Sequence, residues 1–290
     1  MPTNPKPTII IRDLTTFDDL SKVEAVEKQV WGLADRDVTP LTLIIALHEA
    51  GSVWLGAFNG DALVGFAFGF FGRESGQPMI HSHMLAVLPQ YRDLDLGYKL
   101  KLAQRERALG LGIRQITWTF DPLQSRNAHL NLAKLGVVSD QYKVNFYGPE
   151  TSSILHRNGT DRLWVHWRLT SKRVQQRVQG KHSQSDVLDT LPNVMPLVRF
   201  NGDGKPVRSD LAEATARQRI CIEIPSDINL LEQKDPPLAK AWRDATRWAF
   251  SESLKAGFFV AEFCRSIRGN QGPGAYLLQK GTVEEFVAEM

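Results

Sequence analysis

Cysteine is almost missing from this chain. Cys221 and Cys264 are the only two, which argues against a disulfide framework. Neither sits in a CxxC pair or a histidine-rich cluster, so no metal site is expected. Long apolar runs are missing as well: nothing reaches the ~20 residues that a membrane-spanning helix needs. The opening MPTNPKPT does not read as a signal peptide. The expected location is therefore a reducing cytoplasm. A large excess of one sign of charge is missing too. A net charge of +3 over 290 residues, with no basic stripe interleaved with aromatics, argues against nucleic acid or an anionic membrane as partner. No internal repeat is evident. What remains is ordinary globular composition, 42% hydrophobic and 23% charged, in a chain long enough for one large or two average domains.

The most informative stretch covers residues 80–120 and reads as strand, turn, helix, strand. Residues 81–88 are apolar with polar interruptions, and Pro89 closes them. Leu96, Leu100, Ala103 and Leu109 recur at helical spacing, with Lys99, Lys101, Arg105, Glu106 and Arg107 mostly between them. Gly110 and Gly112 end that helix, and residues 113–120 read as a buried strand rich in β-branched and aromatic side chains. A short turn entering a helix leaves several N–H groups unpaired, which suits a phosphate.

Upstream, residues 9–12 suit a first strand. Thr15, Thr16 and Asp18 are candidate caps for a helix carrying Leu20, Val23, Val26 and Val30, ended at Trp31-Gly32. Thr39-Pro40 starts another helix, with Thr39 as its cap. Two apolar runs joined by Asn59-Gly60-Asp61 predict a hairpin, and a polar loop is expected over 72–78. Downstream, a short helix over 128–135 ends at Gly136, strands follow over 137–147 and 163–169, and 148–160 is a loop. Residues 171–205 read as an exposed helix and linker containing KHSQSD. The remainder predicts β-α-β-β: a strand at 219–224, a helix opened by Pro236-Pro237, and strands at 258–263 and 275–279 around RGNQGPG. The tail over 282–290 is expected to fray. The expected division is 1–170, a linker 171–205 and an extension 206–290.

The run Ala86-Val87-Leu88-Pro89-Gln90-Tyr91-Arg92, ending in Gly97, resembles the CoA-binding signature of the GNAT acyltransferase superfamily, Arg/Gln-x-x-Gly-x-Gly/Ala between the fourth strand and the third helix. Arg92 matches its first position and Gly97 its last. Asp95 stands where the middle glycine belongs, and Asp93 occupies another position often filled by glycine. Asn127-Ala128 to Leu135-Gly136-Val137 resembles the family's second motif, Ala…Lys-Leu-Gly-Phe. The element order over residues 8–170 is also the family's, and SHMLAVLPQYR with ITWTFDPLQSRNAHLNLAKLGV resembles one GNAT subgroup of similar length that has a C-terminal extension. The resemblance implies an α/β fold with a mixed sheet splayed near its middle to admit pantetheine, here followed by the smaller C-terminal β-α-β-β block. It further implies an acyl-CoA co-substrate, acetyl-CoA first, no metal, and direct transfer to the primary amine of a small molecule. A homodimer is the assembly considered. The rival expectation is a GNAT-fold module that binds acyl-CoA or a partner without catalysis; Asp95 favours it.

Transfer to an amine requires a base, a stabiliser for the thioester oxygen and an acid for the leaving thiolate. His81 and His83 lie two apart on one strand and so share a face. Relatives carry a base glutamate six residues before the valine that precedes the turn, and His81 holds that place before Val87. Histidine titrates near neutrality; the alternative is that one or both only hydrogen-bond within a polar pocket. Glu74 is a weaker candidate, better read as a solvated loop carboxylate. By the resemblance, backbone groups of Met84, Leu85, Ala86 and Val87 serve pantetheine and the thioester. Arg92, Asp93, Leu94, Asp95, Leu96, Gly97 and Tyr98 form the phosphate turn, where either aspartate is otherwise a helix cap and Asp95 an i,i+4 partner of Lys99. Ser125 stands where relatives have an asparagine that contacts CoA, with Asn127 and Asn131 nearby; their other readings are helix capping and solvent exposure. The family's acid tyrosine falls at Leu132 and is absent. Tyr147 or Tyr142, on the following strand, is the candidate replacement, with packing as the other reading.

Overall fold

The computed structural model describes residues 7–148, 158–181, 194–267 and 273–289. Most of the expected loop 148–160, the KHSQSD run from His182 and most of the RGNQGPG turn lie outside them. The described residues form two compact units, and the chain passes from one to the other within a strand, between Thr117 and Trp118.

The first unit runs β1 (Ile9–Asp13), α1 (Phe17–Ser21), α2 (Val23–Trp31), α3 (Leu41–Glu49), β2 (Val53–Asn59), β3 (Ala62–Glu74), β4 (Gln77–Val87), α4 (Leu96–Gly110) and the start of β5 (Gln115–Phe120). β1 to β4 pair antiparallel in chain order, and β5 adds parallel to β4. Thr16 caps α1 by accepting the Asp19 N–H at 3.1 Å, and Gly32 ends α2 in the left-handed region. Two expectations change. The polar stretch 72–78 is mostly strand, because Ser75 and Gly76 both take positive φ (48° and 79°) and close a tight hairpin between paired arms. Thr39 does not cap α3. Pro40 holds that position, and α2 supplies the acceptors: Glu27 Oε2 takes the Thr39 N–H and Glu24 Oε1 the Leu41 N–H, each at 2.8 Å.

The second unit contains α5 (Ser125–Ala128), continued by a π-helical turn over His129–Leu135, then β6 (Val138–Lys143), β7 (Arg162–Arg168) and α6 (Lys172–Val178). It continues with β8 (Met195–Phe200), β9 (Pro206–Arg208), α7 (Leu211–Thr215), β10 (Arg219–Ile224), α8 (Ile228–Lys234), α9 (Pro236–Lys255), β11 (Phe258–Cys264), β12 (Gly274–Lys280) and α10 (Val283–Glu289). Its strands lie in the order β7-β6-β11-β12-β10-β8-β9. The expected β-α-β-β block is present as β10, α9, β11 and β12. Asp235 caps α9 by accepting the Leu238 N–H at 3.0 Å, and Trp242, Phe250, Phe259, Phe263 and Tyr276 are fully buried.

Here too the sequence reading needs amendment. The helix expected to be exposed, α6, buries Arg173, Val174 and Arg177, and β8 lies within the span read as linker. The tail is helical over Val283–Glu289: Thr282 and Glu285 form a reciprocal capping box, and Val283 packs with Val138, Phe259 and Ala261. Arg173 and Arg177 share Glu262 Oε1, and they also donate to the carbonyls of Gly136, Ala261 and Ala133. Removing the carboxylate leaves two buried cations facing each other. Glu262→Ala is expected to lower unfolding free energy by about 3–5 kcal/mol, measured by urea denaturation; a loss below ~1 kcal/mol would show that the arginines find other partners.

Candidate functional site

The site of the first unit is built on an irregularity in β4. The β3–β4 register passes from Phe68↔Met84 to Gly69↔Ser82, so His83 is the extra residue of a bulge. Pairing of β4 with β5 covers Ile80↔Ile116 and His81↔Thr117, while β4 itself runs on to Val87. The two strands thus part company at the histidines. That is the splay expected from the resemblance, and no sequence pattern encoded it.

His81 and His83 are brought together as expected, their ring centroids 6.3 Å apart and both against Phe70. Their surroundings differ. His81 is buried, its Nδ1 3.0 Å from Thr117 Oγ1, and burial, then His83 and Lys101, push its imidazole down to about 4. His83 reaches solvent at the bulge, edge-on to Phe68. The protein around it still lowers its imidazole. The near-neutral titration expected of a free imidazole therefore does not apply to His81, which stays neutral through the physiological range.

Sequence reasoning missed the side of β4 facing α4. Lys101 is buried, and its Nζ donates to Ser82 Oγ at 2.7 Å. Burial pushes its ammonium down to about 7. Gln104, one turn on, is fully buried, and neither its oxygen nor its nitrogen has a hydrogen-bond partner. A Cβ on Gly69 would stand 2.9 Å from the Gln104 Nε2 and 3.2 Å from the His81 carbonyl, so the glycine relieves crowding on this face. The signal was present: Gln104 falls four residues after Leu100 and four before Ala108, a polar residue inside an apolar stripe.

Between β4 and α4 the chain makes a 3-10 turn over Pro89–Leu94. Arg92 is exposed and its Nε donates to Val87 O at 3.4 Å. Asp93 is also exposed, Leu94 and Gly97 are half-buried, and Leu96 is in the core. Tyr98 is half-buried, and burial followed by the Asp95 charge raises its phenol. Asp95 takes the cap position of α4 at φ 59°, ψ 26°, with no side-chain capping bond. The position demands left-handed backbone. Glycine is the usual solution, and aspartate is among the few other residues that tolerate it. On β4, Leu85, Ala86 and Val87 pair with Ala67, Phe66 and Gly65. Glu74 is no solvated loop carboxylate: it ends β3 and accepts from the Gln115 amide.

In the second unit, Ser125 is buried at the start of α5 and Asn127 is exposed in it, with Gln124 rather than Asn127 at the cap. Asn131 is buried, not solvent-facing, and Leu132 is fully in the core. Tyr147 is not on a strand. β6 ends at Lys143, and a turn held by Asp161 accepting the Asn145 N–H carries the phenol to the surface, with the Arg162 guanidinium 5.2 Å from its ring centre. Tyr142 is spoken for: its hydroxyl donates to Asp161 at 2.6 Å, its ring stacks on Phe250, and burial raises its phenol well above the ordinary value.

Residues 18–136 match the acetyltransferase (GNAT) family. That stretch is similar to a GNAT acetyltransferase domain. Among solved structures the chain is similar to the ribosomal-protein-S18-alanine N-acetyltransferase of Escherichia coli, with 15% identity, 56% of this chain and 94% of that one covered, and a TM-score of 0.45. An aminoglycoside 6'-acetyltransferase type Ii gives 16% identity, 56% and 99% coverage, and a TM-score of 0.45. An N-acetyltransferase from Staphylococcus aureus Mu50 gives the same four values. No protein of curated function matches the chain.

Proposed function

We propose that this chain moves an acetyl group from acetyl-CoA directly to the primary amine of a small molecule, using the first unit's two histidines at the β4 bulge. The observation that carries this reading is the end of β4–β5 pairing at His81↔Thr117, beyond which β4 keeps its ladder to β3 but leaves the one to β5, beside a base. Thr117 donates its hydroxyl to Met79 Sδ at 3.4 Å and so accepts from His81 Nδ1–H, which leaves the lone pair on Nε2. His83 orients the acceptor, and His81 Nε2 takes a proton from its ammonium. The freed amine attacks the thioester carbon while N–H groups from Met84 to Val87 steady the oxygen. As the C–S bond breaks, the leaving thiolate takes a proton from solvent. Arg92 and the first N–H groups of α4, over Leu96, Gly97 and Tyr98, hold the pyrophosphate. Cysteine has no part: Cys221 and Cys264 are buried in the second unit, and burial pushes the Cys264 thiol up to about 12.

Acetyl-CoA is expected to raise the melting temperature, since a ligand bound only to the folded state stabilises it. Asp95→Gly suits the left-handed backbone and removes a negative charge beside the pyrophosphate. It is expected to tighten acetyl-CoA binding by about fivefold, the equivalent of ~1 kcal/mol for a charge at a helix N-terminus. Absence of a shift for both proteins with every acyl-CoA tried would overturn the reading.

A further inference from the structure

α4 places two polar side chains, Lys101 and Gln104, into the face of the β3–β4 ladder that lies behind the bulge. Lys101 is 2% exposed and Gln104 0%. A lysine in such a place loses its hydration, and apolar residues of similar volume serve a core at least as well. Its contact with Ser82 explains its presence by geometry: Nζ donates to Ser82 Oγ at 2.7 Å. Ser82 is no ordinary strand residue. It is paired with Gly69 at the step where the register slips, so it stands between His81 and the bulged His83. Gly69 matters to the same place, since its missing Cβ would meet Ile80 Cγ2 at 2.7 Å and the His81 carbonyl at 3.2 Å. The bulge is thus held from behind by the Lys101–Ser82 bond across a close-packed seam.

We propose that Lys101 is a positioning residue for acyl transfer: its bond to Ser82 fixes the β4 bulge, and with it the N–H groups beyond His83 that meet the thioester. Lys101 acts through Ser82 and the backbone, and touches no substrate. The proposal rests on the acyl-CoA reading above and concerns the thioester end of the ligand alone. A bulge can slip its extra residue along the strand, and each slip turns the following N–H and C=O groups to the opposite side. Tying Ser82 to α4 suppresses that slip.

The test compares binding of acetyl-CoA with that of CoA, by calorimetry, in the parent, Lys101→Met and Ser82→Ala. No amine acceptor is needed. The two ligands share every contact except the thioester acetyl, so the ratio of their dissociation constants reads the placement of those N–H groups. The parent is expected to prefer acetyl-CoA. In Lys101→Met that preference is expected to fall by roughly 5- to 10-fold, the scale of one well-placed hydrogen bond. CoA affinity should stay within about twofold, and melting temperature at pH 7 should hold or rise, because a buried cation has been removed. Ser82→Ala, which keeps the lysine and removes only its acceptor, is expected to lose preference in the same direction. It serves as the second reading if the methionine variant does not fold. An unchanged preference in the variants would make Lys101 a packing residue and overturn the proposal while sparing the acyl-CoA reading. A parent that binds both ligands equally would likewise overturn it, since nothing would then be positioned. A parent that binds neither would overturn both readings.

Discussion

Turnover of acetyl-CoA with a primary-amine acceptor is expected to fall roughly 10²-fold or more in His81→Gln, the usual scale for loss of a general base. Acetyl-CoA affinity is expected to survive. Glutamine keeps the volume and can still bond to Thr117 Oγ1, which lies 3.0 Å from Nδ1 in the parent, so the change removes basicity more than shape. The pH profile separates this role from others. Burial and the neighbouring His83 and Lys101 hold the imidazole at about 4, so the acidic limb of the rate belongs near that value and the rate is level on that account through neutrality. The same depression carries a stability signature. The native state resists protonation of His81 while the unfolded chain, at the ordinary value near ~6.5, does not. Stability that this residue contributes above ~6.5 is therefore lost as pH falls toward 4, and His81→Gln should flatten that fall. His83→Gln is expected to raise the KM of the acceptor instead, in keeping with a solvent-facing side chain. If both glutamine variants kept the parent's rate and profile, neither histidine would be the base.

Truncation after residue 205 is expected to leave insoluble protein. β11 is bonded to β6, at Val260↔Ser139, so the deletion bares the edge of a strand that the second unit buries. It also strips Glu262 from Arg173 and Arg177, where the three now share two short contacts, and takes away β10, the parallel partner of β8. Trp242, Phe250, Phe259, Phe263 and Tyr276 leave with it, so the core of that unit goes rather than an appendage. The check is the soluble fraction on expression and the elution volume of what remains. A soluble, folded monomer of residues 1–205 would show that the strands from β10 onward are dispensable.

Short-range signals in the sequence determined much of this protein. Gly32, Gly60 and Gly136 mark left-handed positions, Thr16 and Asp235 cap helices, and alternating or helical spacing located most elements of the first unit and the β10, α9, β11 and β12 block, though not β8, β9, α7, α8 or α10. Those signals are local, so they survive in one dimension. The paired histidines and the Arg92 turn were legible for the same reason. What the tertiary structure decided is non-local. The bulge at His83 exists because β3 and β4 disagree by one residue in register, which neither strand states alone. The parting of β4 from β5 depends on where a strand 36 residues away stops pairing. Lys101 and Gln104 look like surface residues of a charged helix until β3, thinned to glycine at Gly69, comes close enough to bury them. Arg173 and Arg177 read as exposed until Glu262, some ninety residues later, arrives between them. In each case a polar group takes its role from a partner distant in sequence, and only the folded chain brings that partner within hydrogen-bonding reach.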